Sequence, residues 1–200
     1  NSVGGVIQWV ATKASPTRDE YVMGTQDNVN DVNVQIFNGA TDTWGTDTEM
    51  TASVANNARR GFDLTYETQS GDIMSVYCDG DADPSYRVWN GTTWSAAATV
   101  NVTSANNCEW ISLASDPNSD EVIMVERDTG AAYEAQVWDG SAWGNPKILG
   151  SMTDTAHEGI GLAYEESGDQ ALVTVSNGNT SGFVWTSWNG TSWGITQTQV

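Results

Sequence analysis

Three stretches decide the fold: Trp89-Asn90-Gly91-Thr92-Thr93-Trp94, Trp138-Asp139-Gly140-Ser141-Ala142-Trp143 and Trp188-Asn189-Gly190-Thr191-Ser192-Trp193. A looser copy, Phe37-Asn38-Gly39-Ala40-Thr41-Asp42-Thr43-Trp44, precedes them. The first aromatics of successive copies stand 52, 49 and 50 residues apart. A fixed period of that size marks a repeat architecture, in which each unit is one supersecondary motif.

Further landmarks keep the same period. Phe62-Asp63-Leu64-Thr65-Tyr66 matches Ile160-Gly161-Leu162-Ala163-Tyr164, and Ser70-Gly71-Asp72 matches Ser167-Gly168-Asp169. The third copy offers Ile111 to Ser115 and then Asn118-Ser119-Asp120; the linkers Ala55-Asn56-Asn57 and Ala105-Asn106-Asn107 also correspond. In the second copy, period-two alternation and short apolar runs predict strands at about 61–67, 72–78, 85–89 and 92–98. Asn90-Gly91 predicts a two-residue type I′ turn, because both residues accept positive φ. That turn would pair Trp89 with Thr92 and Arg87 with Trp94, leaving the two indoles diagonal on one face.

Four units of four antiparallel strands predict an all-β chain of sixteen strands. An isolated four-stranded sheet leaves faces and edges open, and radial stacking covers them. The expected fold is one β-propeller domain over 1–200, with units near 6–48, 59–99, 108–149 and 157–198. It is four-bladed, or half of a larger ring completed by a second chain. A linear or sandwich-like stack is the other arrangement. Each blade reads as contiguous sequence, with no strand exchange to clasp a ring.

The Trp-Asp-Gly-x-x-Trp hairpins resemble those of fungal and bacterial fucose-binding propeller lectins. The resemblance implies sugar sites between blades, built from an Arg, a Glu and a Trp. Trp138, Asp139, Gly140 and Trp143 match the hairpin, but no Arg recurs with the repeat. Arg87 alone lies just before such a hairpin, and Glu126-Arg127 precede another out of register. The hairpin is also loosely similar to the Asp-box turn of sialidases, without its Ser-x-Asp start.

Composition narrows the chemistry. There are 26 acidic and 7 basic side chains, a net charge of −19, and only two lysines, Lys13 and Lys147. Such a surface offers nucleic acid or an anionic membrane no cationic patch. No apolar run is long enough to span a bilayer. Asn1 to Val10 is not a signal peptide, although the chain could begin after one. The two cysteines, Cys78 and Cys108, are either buried thiols or a disulfide between neighbouring repeats. Glycosylation acceptors occur at Asn90, Asn101, Asn179 and Asn189.

Asp79-Gly80-Asp81-Ala82-Asp83 places carboxylates at alternate positions, a pattern suited to calcium although the usual downstream Glu is missing. A solvated acidic turn explains the same residues. Zinc is disfavoured by a single histidine, His157, and by the distance between the cysteines. Nothing assembles into a nucleophilic triad, and carboxylates are too many for any pair to stand out. The hairpin indoles Trp89, Trp94, Trp138, Trp143, Trp188 and Trp193 serve packing, ligand contact, or both.

The reading that follows is a non-enzymatic extracellular or cell-surface protein that assembles with itself or its neighbours, in a filament or envelope. The alternative is a carbohydrate-binding, lectin-like module. A glycan-cleaving enzyme is the weakest of the three.

Overall fold

The computed structural model describes residues 4–151, 156–178 and 182–200. They form four antiparallel sheets, each from contiguous sequence. The first blade contains β1 (Ile7–Ala14), β2 (Glu20–Asp27) and β3 (Val32–Asn38), with an outer strand in two pieces, β4 (Thr43–Trp44) and β5 (Thr48–Thr51). The second contains β6 (Phe62–Tyr66), β7 (Ile73–Tyr77), β8 (Ser85–Trp89) and β9 (Ala98–Thr99). The third contains β10 (Cys108–Ser115), β11 (Val122–Asp128), β12 (Ala132–Trp138) and β13 (Trp143–Ser151). The fourth contains β14 (Ile160–Tyr164), β15 (Ala171–Ser176), β16 (Phe183–Trp188) and β17 (Gln197–Gln199).

The expected repeat, strand order and antiparallel pairing are therefore present, and two local expectations need correction. The outer strand of the second blade was expected over 92–98, but β9 pairs only Ala98 and Thr99 with β8, apart from a bridge between Trp89 and Trp94. Here the Ser95 hydroxyl accepts the Val88 N–H at 3.0 Å, so a side chain replaces a ladder carbonyl. The hairpin is also not type I′. Its loop holds four residues, so Trp89 lies directly opposite Trp94.

The reason is the side chain of the first loop residue. Asn90 Oδ1 accepts the N–H groups of Thr92 at 3.0 Å and Thr93 at 2.9 Å. Asp139 does the same for Ser141 and Ala142, and Asn189 for Thr191 and Ser192. An Asx side chain thus satisfies loop donors that would otherwise need water. Only the glycine takes positive φ: Gly91 at 89°, Gly140 at 90° and Gly190 at 82°.

Pairing register gives each blade two faces. The rear face of β6–β8, with Phe62, Leu64, Tyr66, Ile73 and Trp89, packs on Val22, Val32 and Val34 of the first blade. The opposite, forward face, with Met74 and Val76, packs on Ile111, Leu113, Met124 and Trp138 of the third. Ile123, Val125 and Val137 then pack on Val173, Val175 and Trp188 of the fourth. Three apolar cores therefore lie between sheets, and burial of large apolar side chains there drives the stacking. The sheets approach closely enough that a Cβ on Gly24 would sit 2.5 Å from the Phe62 ring.

The inner strands touch in the order β1, β6, β10, β14, and among the described residues no comparable contact returns β14 to β1. Polar and aromatic contacts also link different blades at their inner strands and the residues leading into them. The rings of Trp9 and Trp110 meet edge to face at 5.7 Å, and Arg60 pairs with Glu158 at 2.7 Å. Arg127 is fully buried, donating to Glu109 at 3.2 Å and to the His157 carbonyl at 2.7 Å. Cys78, just after β7, and Cys108, opening β10, form a disulfide with Cα atoms 5.3 Å apart. It links the second and third blades and resolves the thiol alternative.

Candidate functional site

Each hairpin brings two aromatic rings together: Trp89 and Trp94 at 5.6 Å, Trp138 and Trp143 at 5.7 Å, Trp188 and Trp193 at 5.1 Å. Phe37 and Trp44 repeat the pair at 5.2 Å. The two members have different surroundings. In the last three pairs the first ring lies against the preceding blade, and Trp138 and Trp188 are buried there. Trp138 donates its indole N–H to Glu67 at 2.8 Å, and Trp188 donates to Glu121 at 2.6 Å. Tyr164 also donates to Glu121, at 2.7 Å, while Tyr66 donates to Glu20 at 3.1 Å. Glu67 stands in the turn between the first two strands of its blade, and Glu20 and Glu121 stand where that turn meets the second strand.

Burial opposes ionisation of these acids. It pushes the Glu67 carboxyl up to about 7, with Asp120 and Asp72 adding to the rise and the Ser70 and Trp138 hydrogen bonds limiting it. Glu121 is raised by the same cause. Glu126 is raised well above the usual range, by burial first and then by Asp128, Glu134 and Asp83. Glu126 and Glu134 lie directly opposite on β11 and β12. Glu134 is held by the Gln136 amide and by Thr103.

The second rings Trp94, Trp143 and Trp193 are half-buried, Trp94 and Trp143 each facing a cleft between blades, whereas Trp44 is exposed. Between the first two blades a cavity of about 410 Å³ is lined by Glu20, Asn38, Thr43, Thr48, Trp89 and Trp94. Arg18 stands beside it, 3.1 Å from Glu20 and donating to the Gly71 carbonyl, with its guanidinium against Gly91. The indole N–H of Trp89 is buried and meets no acceptor in the protein. A cavity of about 390 Å³ between the second and third blades is lined by Tyr86, Asn101, Gln136, Ser141, Trp143 and Pro146. Trp143 likewise has a buried indole N–H without an acceptor. At the third junction the Trp193 indole donates to the Asn145 carbonyl at 2.7 Å, and Lys147 reaches the Gly194 carbonyl at 3.0 Å.

Sequence reading did not identify Arg18 or Glu20. The acidic register of Glu20, Asp72 and Glu121 at the entry to each second strand was its available signal. Arg18 has no counterpart in the other copies. Arg127 is a buried strut, whereas Arg87 sits on the rear face of β8 opposite Ser75.

Asp79, Asp81 and Asp83 share one loop but have separate attachments. Asp79 accepts from the Ser85 hydroxyl at 2.5 Å, Asp83 accepts from the Val102 N–H at 2.8 Å, and Asp81 is exposed. Among the described residues, no three acidic, histidine or cysteine side chains converge to hold a metal ion. Asn90, Asn101 and Asn189 are exposed; Asn179 lies outside the described residues. No described helix is long and apolar enough to cross a membrane.

No family model matches the sequence, and no curated protein matches it. Solved structures do resemble it. The BP39L lectin from Burkholderia pseudomallei superposes with a TM-score of 0.67 at 11% identity, over 93% of this chain and 54% of that one. A fungal lectin, the Aleuria aurantia lectin, described as a six-bladed β-propeller with a novel fucose recognition mode, superposes at 0.54 and 14% identity. That match covers all of this chain and 63% of the lectin. An ulvan lyase, a polysaccharide lyase, superposes at 0.56 and 13% identity, over 86% of this chain and 49% of the enzyme. This chain thus spans about half to three fifths of the structures it resembles. At such identities the likeness establishes the fold, a β-propeller of four described blades.

Proposed function

We propose that this chain is a non-enzymatic carbohydrate-binding protein whose clefts between blades hold neutral sugars. The observation that carries this reading is the first cleft. A pair of indoles and a carboxylate line one cavity, the Arg18 guanidinium holds that carboxylate from beside it, and the Trp89 indole N–H lacks a protein acceptor. A sugar has an apolar C–H face for the ring and hydroxyls for polar groups, and such mixed lining is what a small-ligand site requires. The second cleft offers Trp143 with Asn101, Gln136 and Ser141, a milder version of the same set. The lectins among the structural neighbours favour this reading over a purely structural, self-assembling one.

The charge selects among sugars. With a net charge of −19, the surface repels sulfated and uronate polymers, so the ligand class is neutral glycans. The disulfide supports work in an oxidising compartment, outside the cell.

The test is calorimetric titration with α-methyl fucoside, galactose, mannose and N-acetylglucosamine, and with a polyuronate as the acidic control. We expect saturable binding of at least one neutral sugar, with the first-cleft component lost in Trp94→Ala and weakened in Glu20→Gln. Flat heats across the neutral panel, or binding unchanged in both variants, would overturn the reading.

A further inference from the structure

The three internal junctions share one plan, and the two outermost faces carry the two halves of that plan unpaired. The turns ending at Glu20, Asp72, Glu121 and Gln170 close with the same backbone hydrogen bond, which aligns the blades residue by residue. On the forward face, Leu172 occupies the register of Val22, Met74 and Ile123. Those three are completely buried under the next blade, whereas Leu172 is 48% exposed. Phe183 takes the register of Val32 and Tyr133, both fully buried, and is itself exposed. On the rear face, Tyr21 holds the place of Ile73 and Val122, and Val10 that of Phe62 and Ile111. The internal residues are fully buried; Tyr21 is 44% exposed and Val10 58%.

Charge and hydrogen bonding match as well. In a chain with 26 acids, the paired positions of β14–β16 on the forward face, including Ala163, Leu172, Thr174, Phe183, Trp185 and Ser187, are all uncharged. Leu172, Thr174, Phe183, Trp185 and Gln199 line a cavity of about 300 Å³. The paired rear positions of β1–β3, such as Val10, Thr12, Tyr21, Met23, Gln35 and Phe37, are uncharged too. The indole and tyrosyl donors that meet carboxylates at the internal junctions have no equivalents on the rear face of the first blade. Phe37 stands where Trp138 and Trp188 donate, Ala14 where Tyr164 donates, and Gln170 where Glu121 accepts. At the rim, exposed Glu165 keeps the carboxylate of the Glu67 register. A buried donor without its acceptor would be costly, so a rear face with Phe37 and Ala14 at these places suits a mainly apolar joint, with Glu165 left at its solvated rim.

We propose that the forward face of the fourth blade docks the rear face of the first blade of a second copy, continuing the internal stacking head to tail. The contact is heterologous, so it propagates as a closed ring or a filament. Like-charge repulsion between copies weakens in salt, which favours association.

The experiment is light scattering with sedimentation of the chain over a range of concentration and salt, together with Leu172→Glu and Tyr21→Glu. Both sites are exposed, and thermal melting with intact disulfide verifies folding. The unmodified chain should exceed monomer mass, increasingly at high salt, while each variant alone stays monomeric. Mixing the two variants should restore one-to-one dimers and nothing larger, because one copy retains a forward face and the other a rear face. A strictly monomeric unmodified chain overturns the proposal and assigns the faces to another occupant, such as further blades. Assembly unaffected by either variant, or no dimer in the mixture, overturns it equally.

Discussion

The indole N–H of Trp138 lies 2.8 Å from the Glu67 carboxylate, across the junction of the second and third blades. This bond joins residues 71 positions apart and orients a ring that the core needs. It also leaves an acid in a place where its charge is poorly solvated.

Glu67 therefore makes stability depend on pH. Its carboxyl is pushed up from 4.5 to about 7 in the folded chain. A raised carboxyl favours the folded state while protonated, so its contribution is complete below about 4.5 and is lost as pH rises to about 7. Glu67→Gln keeps an acceptor for Trp138 and removes the titration. We expect the variant to gain up to roughly 3 kcal/mol over the unmodified chain above neutrality and little at acid pH. Urea unfolding at a series of pH values measures the difference; parallel curves would refute it.

Reducing the Cys78–Cys108 bond should destabilise the chain without dismantling the blades. The bond closes a loop of 30 residues, which corresponds to roughly 4 kcal/mol if chain entropy dominates. Denaturation with and without reductant, compared with the Cys78→Ala/Cys108→Ala chain, gives the value. Equal midpoints would show that the bond adds nothing to the packed junction.

The hairpin loops should depend on the Asx acceptor rather than on turn type. Asp139→Asn keeps the acceptor oxygen for Ser141 and Ala142, whereas Asp139→Ala deletes it. The alanine variant should lose about 1 kcal/mol and the asparagine variant much less. The Ser141 hydroxyl and the Ala142 amide hold the Asp139 carboxyl below its usual range. Its contribution is thus present above that range and fades as pH falls through the lowered value. Equal losses in both variants by urea titration would remove the acceptor from the account.

Two equivalent indoles should behave differently toward sugar. Trp143 faces the second cleft with its N–H unpaired, while Trp193 donates to the Asn145 carbonyl. Trp143→Ala should abolish binding in that cleft with a small loss of stability. Trp193→Ala should lower the melting temperature and leave affinity unchanged. Calorimetry and thermal unfolding of both separate the roles, and loss of affinity in Trp193→Ala alone would invert the assignment.

The sequence announced the blades because their signals are local. Turn residues and alternating apolar positions recur within each unit, as in Phe62 to Asp72 and Ile160 to Asp169. The hairpin geometry was harder to read, since Asn-Gly suits a two-residue turn as well as an Asx-closed loop. Only the position of Trp94 opposite Trp89 distinguishes them. The first cleft was least legible. Arg18 and Glu20 come from the turn of one blade and Trp89 from the hairpin of the next, so stacking unites residues that no local pattern connects. The disulfide was half legible: its spacing placed the cysteines at adjacent blades, but their chemical state followed from three-dimensional approach.

Each sheet completes its hydrogen-bond ladder within its own stretch of about 50 residues. A nascent chain can therefore close one meander before the ribosome delivers the next, and no early strand waits for a late partner. Keeping each ladder within one unit shortens the time for which strand edges stand exposed. Duplication or loss of a whole unit at a linker would likewise leave every remaining ladder intact, so the number of blades is open to change by simple recombination.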